Sequence, residues 1–575
     1  MLNIGTSALV TTQGALSTTS HNISNVNTEG YNRQRIEQGT RIPNFEGGYY
    51  IGSGVEISSV ERLFDNFLAE QVRTFTSQEQ QFDTFSTFAR QVDDLLGSPQ
   101  LSLSSGLEGF FNAVQDVSDD PTSIPARQVM LTEAETLTNR FNTLDSQLDA
   151  FNGQVNSSLD TAVKDINLLS QGISDLNQAI IEASGGAGIP PNDLMDQRDQ
   201  LINELSALVS VSTLTQSNGA INVFVGTGQS LVIGNSSIDL NIVTDPADPS
   251  RNEIGYGPSS INISNQLTGG SVGGLLSVRQ TVIDPARAEI DALAQGMITT
   301  INSQHIAGIT LDGNAGGNFF EPADPLGNPT PDAGSIRLAL TDPRDIAVAF
   351  PVGISTSQTN TGTGQIEVTA IDSSDPAFDA TSVLAGAVSF SYDNTNKEYT
   401  VTYQGETATI AYDSAVDSGK SIDLSALTFT NLLGPAPTSP VLTVSLEGVP
   451  ADTDQFTINN SVDALGNFTA VGDNRNALAM AELQVTKILN GGTQSFGDAY
   501  GILVANVATR THQADVSQKT QLGLLDQTSL RYESVSGVNL DEEAANLIKF
   551  QQAYQAASQI ITVSNTVFDS LIRAM

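Results

Sequence analysis

The sequence predicts a mixed, multidomain fold, with α-helical coiled-coil or bundle domains formed from both chain ends and mainly β domains inserted between them. Three observations predict it. Leu2, Leu9, Leu16 and Ile23 recur every seven residues at the start of the chain. Leu547, Phe550, Tyr554, Ala557, Ile561, Ser564, Phe568 and Leu571 recur at alternating intervals of three and four near its end, and only Ser564 among them is not apolar. Between these two series the periodicity turns from helical to strand-like and back. Spacing of this kind gives each terminal helix one narrow apolar stripe, the seam of a coiled coil, which a single helix cannot bury. The simplest partner for each end is the other end of the same chain.

The elements follow in order. Residues 2–24 read as a helix whose remaining faces are Ser, Thr and Asn. Segment 25–60, rich in Asn, Gly and Tyr, reads as extended or irregular. A helix over about 61–96 carries the stripe Phe64, Leu68, Val72, Phe75, Phe82, Phe85, Ala89, Val92 and Leu96, and Gly97-Ser98-Pro99 stops it. A short helix around Phe110, Phe111, Val114 and Val117 ends at Asp120-Pro121. From Leu137 to Ile180 one apolar face persists for more than forty residues, a rod of roughly 65–75 Å at 1.5 Å per residue. Gly185-Gly186-Ala187-Gly188 ends it, and a helix with Leu194, Leu201, Leu205 and Leu208 follows. Short strands are expected at 221–225 and 231–233, a helix at 273–305, and β structure across 335–460. Strands at 387–392 and 399–403 should be joined by a turn at Asp393-Asn394-Thr395-Asn396. Helices return at about 474–490, 498–533 and 541–573.

These elements divide into four expected domains. Residues 1–35 with 538–575 form a terminal coiled-coil domain, and 36–210 with 473–537 a long-helix rod domain. Residues 211–334 form an inserted α+β domain and 335–472 an outer β-rich domain.

Composition excludes several function classes. There are 64 acidic residues against 24 Lys plus Arg, a formal net charge of −40. That excludes nucleic acid as a partner, because phosphate binding needs cations, and it opposes docking on an anionic membrane. No run reaches the length of an apolar span. With no cysteine there is neither a disulfide framework nor a thiolate metal site. The first basic residue is Arg33 and no apolar core precedes it, so a cleavable signal peptide is not expected.

No constellation for catalysis stands out, and neither an enzyme nor a cofactor or metal is expected. His21, His305 and His512 stand alone, outside any His-Glu-x-x-His arrangement. Gly419-Lys420-Ser421 lacks the earlier glycine of a phosphate loop, since position 414 is Ser. Asp193, Asp196 and Asp199, interleaved with Arg198 and Gln200, read as a solvated, salt-bridged helix face. The Gly/Asn turn at 311–318 lacks the ligand spacing and terminal Glu of a calcium loop. The positive signal is the apolar seams, which are assembly features.

The ends carry longer motifs. Asn22-Ile23-Ser24-Asn25-Val26-Asn27-Thr28-Glu29-Gly30-Tyr31-Asn32-Arg33-Gln34 resembles the N-terminal signature of the bacterial flagellar rod, hook and hook-associated protein family. Val538-Asn539-Leu540-Asp541-Glu542-Glu543-Ala544-Ala545-Asn546-Leu547, continued by Phe550-Gln551-Gln552-Ala553-Tyr554, resembles its C-terminal signature. Glu29 departs from the pattern, in which proline is usual. Tyr31-x-Arg33-Gln34, the acidic Leu540–Ala544 form and Asp193–Ser206 resemble the hook-associated protein 1 branch, as does 273–320. Segment 335–460 resembles nothing comparable.

The resemblance implies a structural protein of the flagellum, at the distal end of the hook, joining hook to filament. It implies self-association into a ring, with hook protein on the proximal side and the second junction protein on the distal side. A cytoplasmic export chaperone would bind the C-terminal region, and the chain would leave the cell unfolded, by type III export. The family positions carried over are Asn22, Asn25, Asn27, Thr28, Gly30, Tyr31, Asn539, Leu540 and Glu543. Two alternatives stay open. Another axial protein (hook, distal rod or second junction protein) would share the ends but lack the 193–206 motif, and a secreted adhesin would use 335–460 as its binding module.

Overall fold

The computed structural model describes residues 2–46, 48–184, 190–323, 331–371, 378–427 and 442–574. The glycine run 185–188 lies outside them. The chain opens with helix α1 (Leu2–Ser24). Strands β1 (Gln34–Thr40), β2 (Asn44–Glu46), β3 (Tyr49–Ile51) and β4 (Val55–Arg62) follow. Next come α2 (Asn66–Gly97), α3 (Leu103–Asp119), α4 (Ile124–Ser184) and α5 (Asn192–Leu208). Seven short strands span Val211 to Asn262, ahead of α6 (Gly270–Val278) and α7 (Asp284–Ile306). Eight more lie between Val352 and Asn460, and α8 (Arg475–Glu482), α9 (Phe496–Ser536) and α10 (Leu540–Ala574) close the chain. The mixed class, helices at both ends and sheets between, is the one the periodicity predicts.

Three differences from the sequence reading have local causes. Segment 25–60 is largely a hairpin: β1 pairs antiparallel with β4 from Gln34–Arg62 to Thr40–Val55, with a bulge after Glu37, and β2 pairs with β3 beyond it. Helix α4 has 61 residues, about 92 Å at 1.5 Å per residue. It starts at Ile124, just past the Pro121 turn, because Met130, Leu131 and Ala134 extend the buried face ahead of Leu137. Helix α8 ends at Glu482, where the expectation ran to 490, and the chain continues in turns around Asn490, Gly491 and Gly492, all at positive φ.

The described residues fall into two compact units. The first comprises Met1–Val92, Ala150–Asp284 and Val507–Met575. In it, Val155, Leu159, Ile166, Ile173 and Ile180 keep one buried stripe on α4. Three asparagines on α4 hold the strands. Asn177 accepts from Ile221 N at 3.0 Å and donates to Ile221 O at 2.9 Å. Asn167 does the same with Leu240, at 2.8 Å each way. Asn156 accepts from Asn252 N and donates to Ser250 O. Each side-chain amide thereby satisfies strand backbone groups that would otherwise be orphaned against a helix. Between α6 and α7 the helix passes through a π-turn at Arg279–Ile283, where the buried Arg279 donates to Glu253 at 2.8 Å.

The second unit comprises Asp93–Asp149 and Pro285–Asn506. Helix α3 packs on α8, and Phe110, Phe111, Phe319 and Phe320 meet edge to face or tilted. His305 is wholly buried there. Its Nδ1 donates to Gly317 O at 2.7 Å and its Nε2 accepts from Ala347 N at 2.9 Å. The described residues between 352 and 460 form a five-stranded and a three-stranded sheet that share one core around Phe390, Tyr399, Tyr412 and Phe456. The expected hairpin is present, and Asp393 Oδ1 accepts from Thr395 N and Asn396 N in its turn.

Candidate assembly site

Helix α1 carries no Asp, Glu, Lys or Arg, and the first such residue is Glu29. It packs on α10 on one side and on the β1–β4 hairpin on the other. Glycines make both approaches close. A Cβ on Gly5 would lie 2.8 Å from Ile561 Cγ1, and one on Gly14 would lie 2.7 Å from Ile57 Cδ1. Nine residues apart, these two positions sit on opposite helix faces. Gly5, Thr12 and Thr19, all buried, interleave with Leu2, Leu9, Leu16 and Ile23 at the 3-4 spacing of one seam. Leu9, Leu16 and Ile23 are partly buried there and Leu2 is exposed. On α10, Ala557 is buried, and Leu547, Phe550, Tyr554, Ile561 and Ser564 are partly buried. Phe568 and Leu571 are exposed.

The N-terminal signature is a hydrogen-bonded corner. Asn22, buried, accepts from Tyr31 Oη at 2.7 Å and from Gln34 N at 2.9 Å, and donates to Gln34 O at 2.9 Å. Asn25 caps α1 by donating from Nδ2 to His21 O at 3.0 Å, and Thr28 Oγ1 donates to Asn25 Oδ1. Gly30 has φ +75°, and a Cβ there would stand 2.8 Å from Gln200 Oε1, so both backbone and space call for glycine. Asn27 is exposed.

This corner meets the C-terminal signature directly. Arg33 donates from Nε to Glu543 Oε1 at 2.7 Å and from Nη1 to Glu542 Oε2 at 2.5 Å, and its N–H reaches Ser536 O at 2.8 Å. Glu543 is buried by the contact. Asn539 caps α10 by accepting from Asp541 N at 2.9 Å, and the three acids after it suit the positive end of the helix. Leu540 is exposed.

The 193–206 motif supplies the centre of the junction, and here the solvated-face expectation is corrected. Asp196 and Asp199 are buried. Asp196 accepts from Asn32 Nδ2 at 2.6 Å, from Asn32 N at 3.0 Å and from Arg62 Nη1 at 2.8 Å. Arg62 also pairs with Asp199 at 2.7 Å, and Arg73 reaches Asp199 at 3.4 Å. Arg198 turns inward to Asn177 and Gly219. Only Asp193 stays exposed, beside His21 and Gln34. Spacing along one helix could not reveal partners more than a hundred residues away. Tyr532 closes the set, donating to Asn32 Oδ1 at 2.6 Å, and its ring meets Phe64 edge-on beneath the Arg62 guanidinium.

Burial sets the electrostatics. It raises the Asp196 carboxyl above the ordinary carboxylate range, against the pull of the Asn32 and Arg62 donors. Burial opposes the charge on Arg62, but Asp199 and Asp196 outweigh it and the guanidinium is held above its usual value. Burial lowers Arg73 and pushes the Tyr532 hydroxyl up to about 12. Two arginines face two aspartates, so the network is balanced and positions chain segments. A half-open cavity of about 470 Å³ beside it is lined by Gly30, Tyr31, Leu176, Leu201, Asp193 and Gln200. Among the described residues no group of three His, Cys, Asp or Glu could hold a metal ion. In the Gly/Asn turn at 311–318, Asp312 is taken by Arg344.

The chain is 32% identical over 595 residues to flagellar hook-associated protein 1 of Escherichia coli strain K12, covering 100% of this chain and 99% of that protein. The chain belongs to the flagellar hook-associated protein 1 family. It is a structural protein of the bacterial flagellum. Flagellar hook-associated protein 1 of Bacillus subtilis strain 168 is 24% identical over 99% of this chain and 96% of its own length. The solved flagellar hook junction protein FlgK from Burkholderia pseudomallei is 26% identical and superposes with a TM-score of 0.69, covering 81% of this chain and 100% of that one. Residues 89–320 match the family model described as the flagellar hook-associated protein FlgK helical domain. Residues 2–32 match the flagella basal body rod protein model, and 531–574 the flagellar basal body rod FlgEFG protein C-terminal model. The hub binds all three: Asn32 ends the first, Asp196 lies in the second and Tyr532 stands near the start of the third. No described helix is long and apolar enough to cross a membrane.

Proposed function

We propose that this hook-associated protein 1 family member forms a ring of copies at the distal end of the hook and connects it to the filament. Hook protein lies on its proximal side and the second junction protein on its distal side. The observation that carries the reading is the joining of the two chain ends: α1 lies on α10, and Arg33 locks onto Glu542 and Glu543. That union makes one assembly element from two distant segments. Copies pack through it, with Leu2, Leu9, Leu16 and Ile23 and the α10 stripe Leu547, Phe550, Tyr554, Ala557, Ile561, Phe568 and Leu571 as the seam. Charge supports this. Residues 1–35 and 538–575 carry five acidic and four basic groups, a share of −1 in the chain's −40, so like-charge repulsion is least there.

In this reading the four parts act in sequence: the terminal pair (1–35 with 538–575), the rod part (36–210 with 473–537), and the inserts 211–334 and 335–472. The chain is exported without a cleaved signal, and a cytoplasmic chaperone covers the C-terminal region before export. Electron microscopy of isolated hooks lacking their distal proteins, before and after adding the purified chain, tests the role. A thin layer at one end only is expected. Long tubes would point to a hook-like subunit, and bare hook ends would refute the junction role.

A further inference from the structure

The β1–β4 hairpin runs along α1 from its C-terminal end to its N-terminal end. Asn22 bonds Gln34 at the base, Gly14 faces Ile57 midway, and Gly54 abuts Ser7 and Ile4. The strands have thus reached the start of α1 by Thr40 and Val55, and the β2–β3 tip comes after it. Helix α10 runs the same course. Glu543 meets Arg33 at the base and Ile561 meets Gly5 near the end, so the residues up to Ala574, about 20 Å of helix, extend past Gly5. Both overhangs are apolar. On the tip, Ile42, Phe45, Tyr49, Tyr50 and Ile51 are 52–87% exposed. On α10, Val567, Phe568, Leu571 and Ile572 are 49–63% exposed.

Neither overhang is self-sufficient. The tip is a two-stranded hairpin of three pairs, which is marginal in water without a covering layer. Its Phe45 and Tyr50 rings are cross-strand partners 5.0 Å apart and lie open to solvent. Aromatic side chains of this size bury roughly 150–250 Å² each, so the tip exceeds the few hundred Å² of apolar patch that a solitary protein exposes. On α10, Phe568 and Leu571 continue the stripe of Leu547, Phe550, Tyr554, Ala557 and Ile561. They are uncovered because α1 ends, so the seam continues past its partner. Its next neighbour must be apolar and tolerate the modest charge of Asp569 and Arg573.

We propose that the β2–β3 tip of one copy seats on the 567–572 flank of α10 in a second copy, completing the seam that α1 leaves open. The proposal rests on the assembly role above and names its contact. Because the chain has no cysteine, single cysteines report it cleanly. Full-length Tyr50→Cys and a size-tagged full-length Leu571→Cys are mixed, added to hooks lacking their distal proteins, and treated with a short bismaleimide. A heterodimer is expected in the end layer and not in the free protein. The double variant Tyr49→Asp/Tyr50→Asp should incorporate at least tenfold less, with an unchanged thermal melt. A mixed layer that gives no heterodimer, or normal incorporation of the double variant, overturns the contact while leaving the junction role standing. A Tyr50→Cys/Leu571→Cys chain that cross-links internally when free overturns it too, since the tip then rests on its own α10. Failure of the unmodified chain to coat hook ends removes the junction role and this contact together.

Discussion

Replacing Asp196 by alanine is the sharpest test of the junction between the chain ends. The carboxylate is buried and takes three hydrogen bonds, two from Asn32 and one from Arg62. Arg62 keeps Asp199 in the variant, so no arginine is left wholly unpaired. The Asn32 N–H is left without its acceptor and the Asn32 side-chain amide keeps only Gly30 O at 3.3 Å, at roughly 1–3 kcal/mol for each bond lost. The expected loss is therefore about 2–5 kcal/mol, near the range for breaking a buried pair. Asp196→Asn retains one acceptor oxygen and should cost about half as much. Two units complicate a single unfolding curve, so the readout is native-state amide exchange. The Arg33 amide, bonded to Ser536 O, and the Gln34 amide, bonded to Asn22 Oδ1, report the corner without themselves touching Asp196. Both should lose protection by tenfold or more. A change below fivefold at both, about 1 kcal/mol, would refute the claim that the 193–206 motif holds the ends together.

Three further outcomes follow from the geometry. Gly30→Ala should cost about 1–2 kcal/mol from its left-handed backbone alone, more if Gln200 cannot move, and native-state exchange of the Gln34 amide in the same corner measures it. His305, held down to about 4 by burial, is neutral when folded and charges near 6.5 when unfolded. Its contribution is complete above pH 6.5 and is lost as pH falls toward 4, about 3 kcal/mol in all; Asp145, raised to about 6 by burial, acts with the opposite sign, so the difference in pH slope between the protein and its His305→Gln variant isolates the imidazole. Phe568→Asp should abolish incorporation at hook ends and leave the sheets folded, and a variant that coats hooks normally, with unchanged circular dichroism, would refute the seam.

The fold was legible where one face repeats. The stripe of α4, the last helix and the 388–403 hairpin all follow from side-chain period. The assembly site was legible only in outline. Leu2, Leu9, Leu16 and Ile23 announce a seam, but its other three members are Gly5, Thr12 and Thr19. Their role is to be small, and a count of apolar residues passes over them. The β1–β4 hairpin was hidden for a related reason: Ile36 and Ile57 pack on Gly14, while most other positions of both strands are polar or charged and show no apolar alternation. Arg33, Arg62 and Arg73 carry a usable signal, since basic residues are scarce in this chain, 24 in 575, and five of them fall in its first 73 positions. What spacing could not supply was the partner, because Asp196 and Glu543 are distant in sequence and meet these arginines only in the fold.

The placement of charge and of small residues has one mechanical consequence. A helix without charged side chains can be covered on several faces without desolvating an ion, which is the largest cost of burial. Helix α1 is already covered on two opposite faces, by Ile561 at Gly5 and by Ile57 at Gly14, and it meets both with glycine. The ions that fix it in place stand at its end, in the Asn22–Arg33 corner, where Arg33 and Asn32 find charged partners already built into α10 and α5. Separating the two tasks lets the smooth helix take further apolar neighbours while the corner sets its register against the rest of the unit. A junction subunit that packs through its chain ends needs both properties, and in this chain they lie within the first 33 residues.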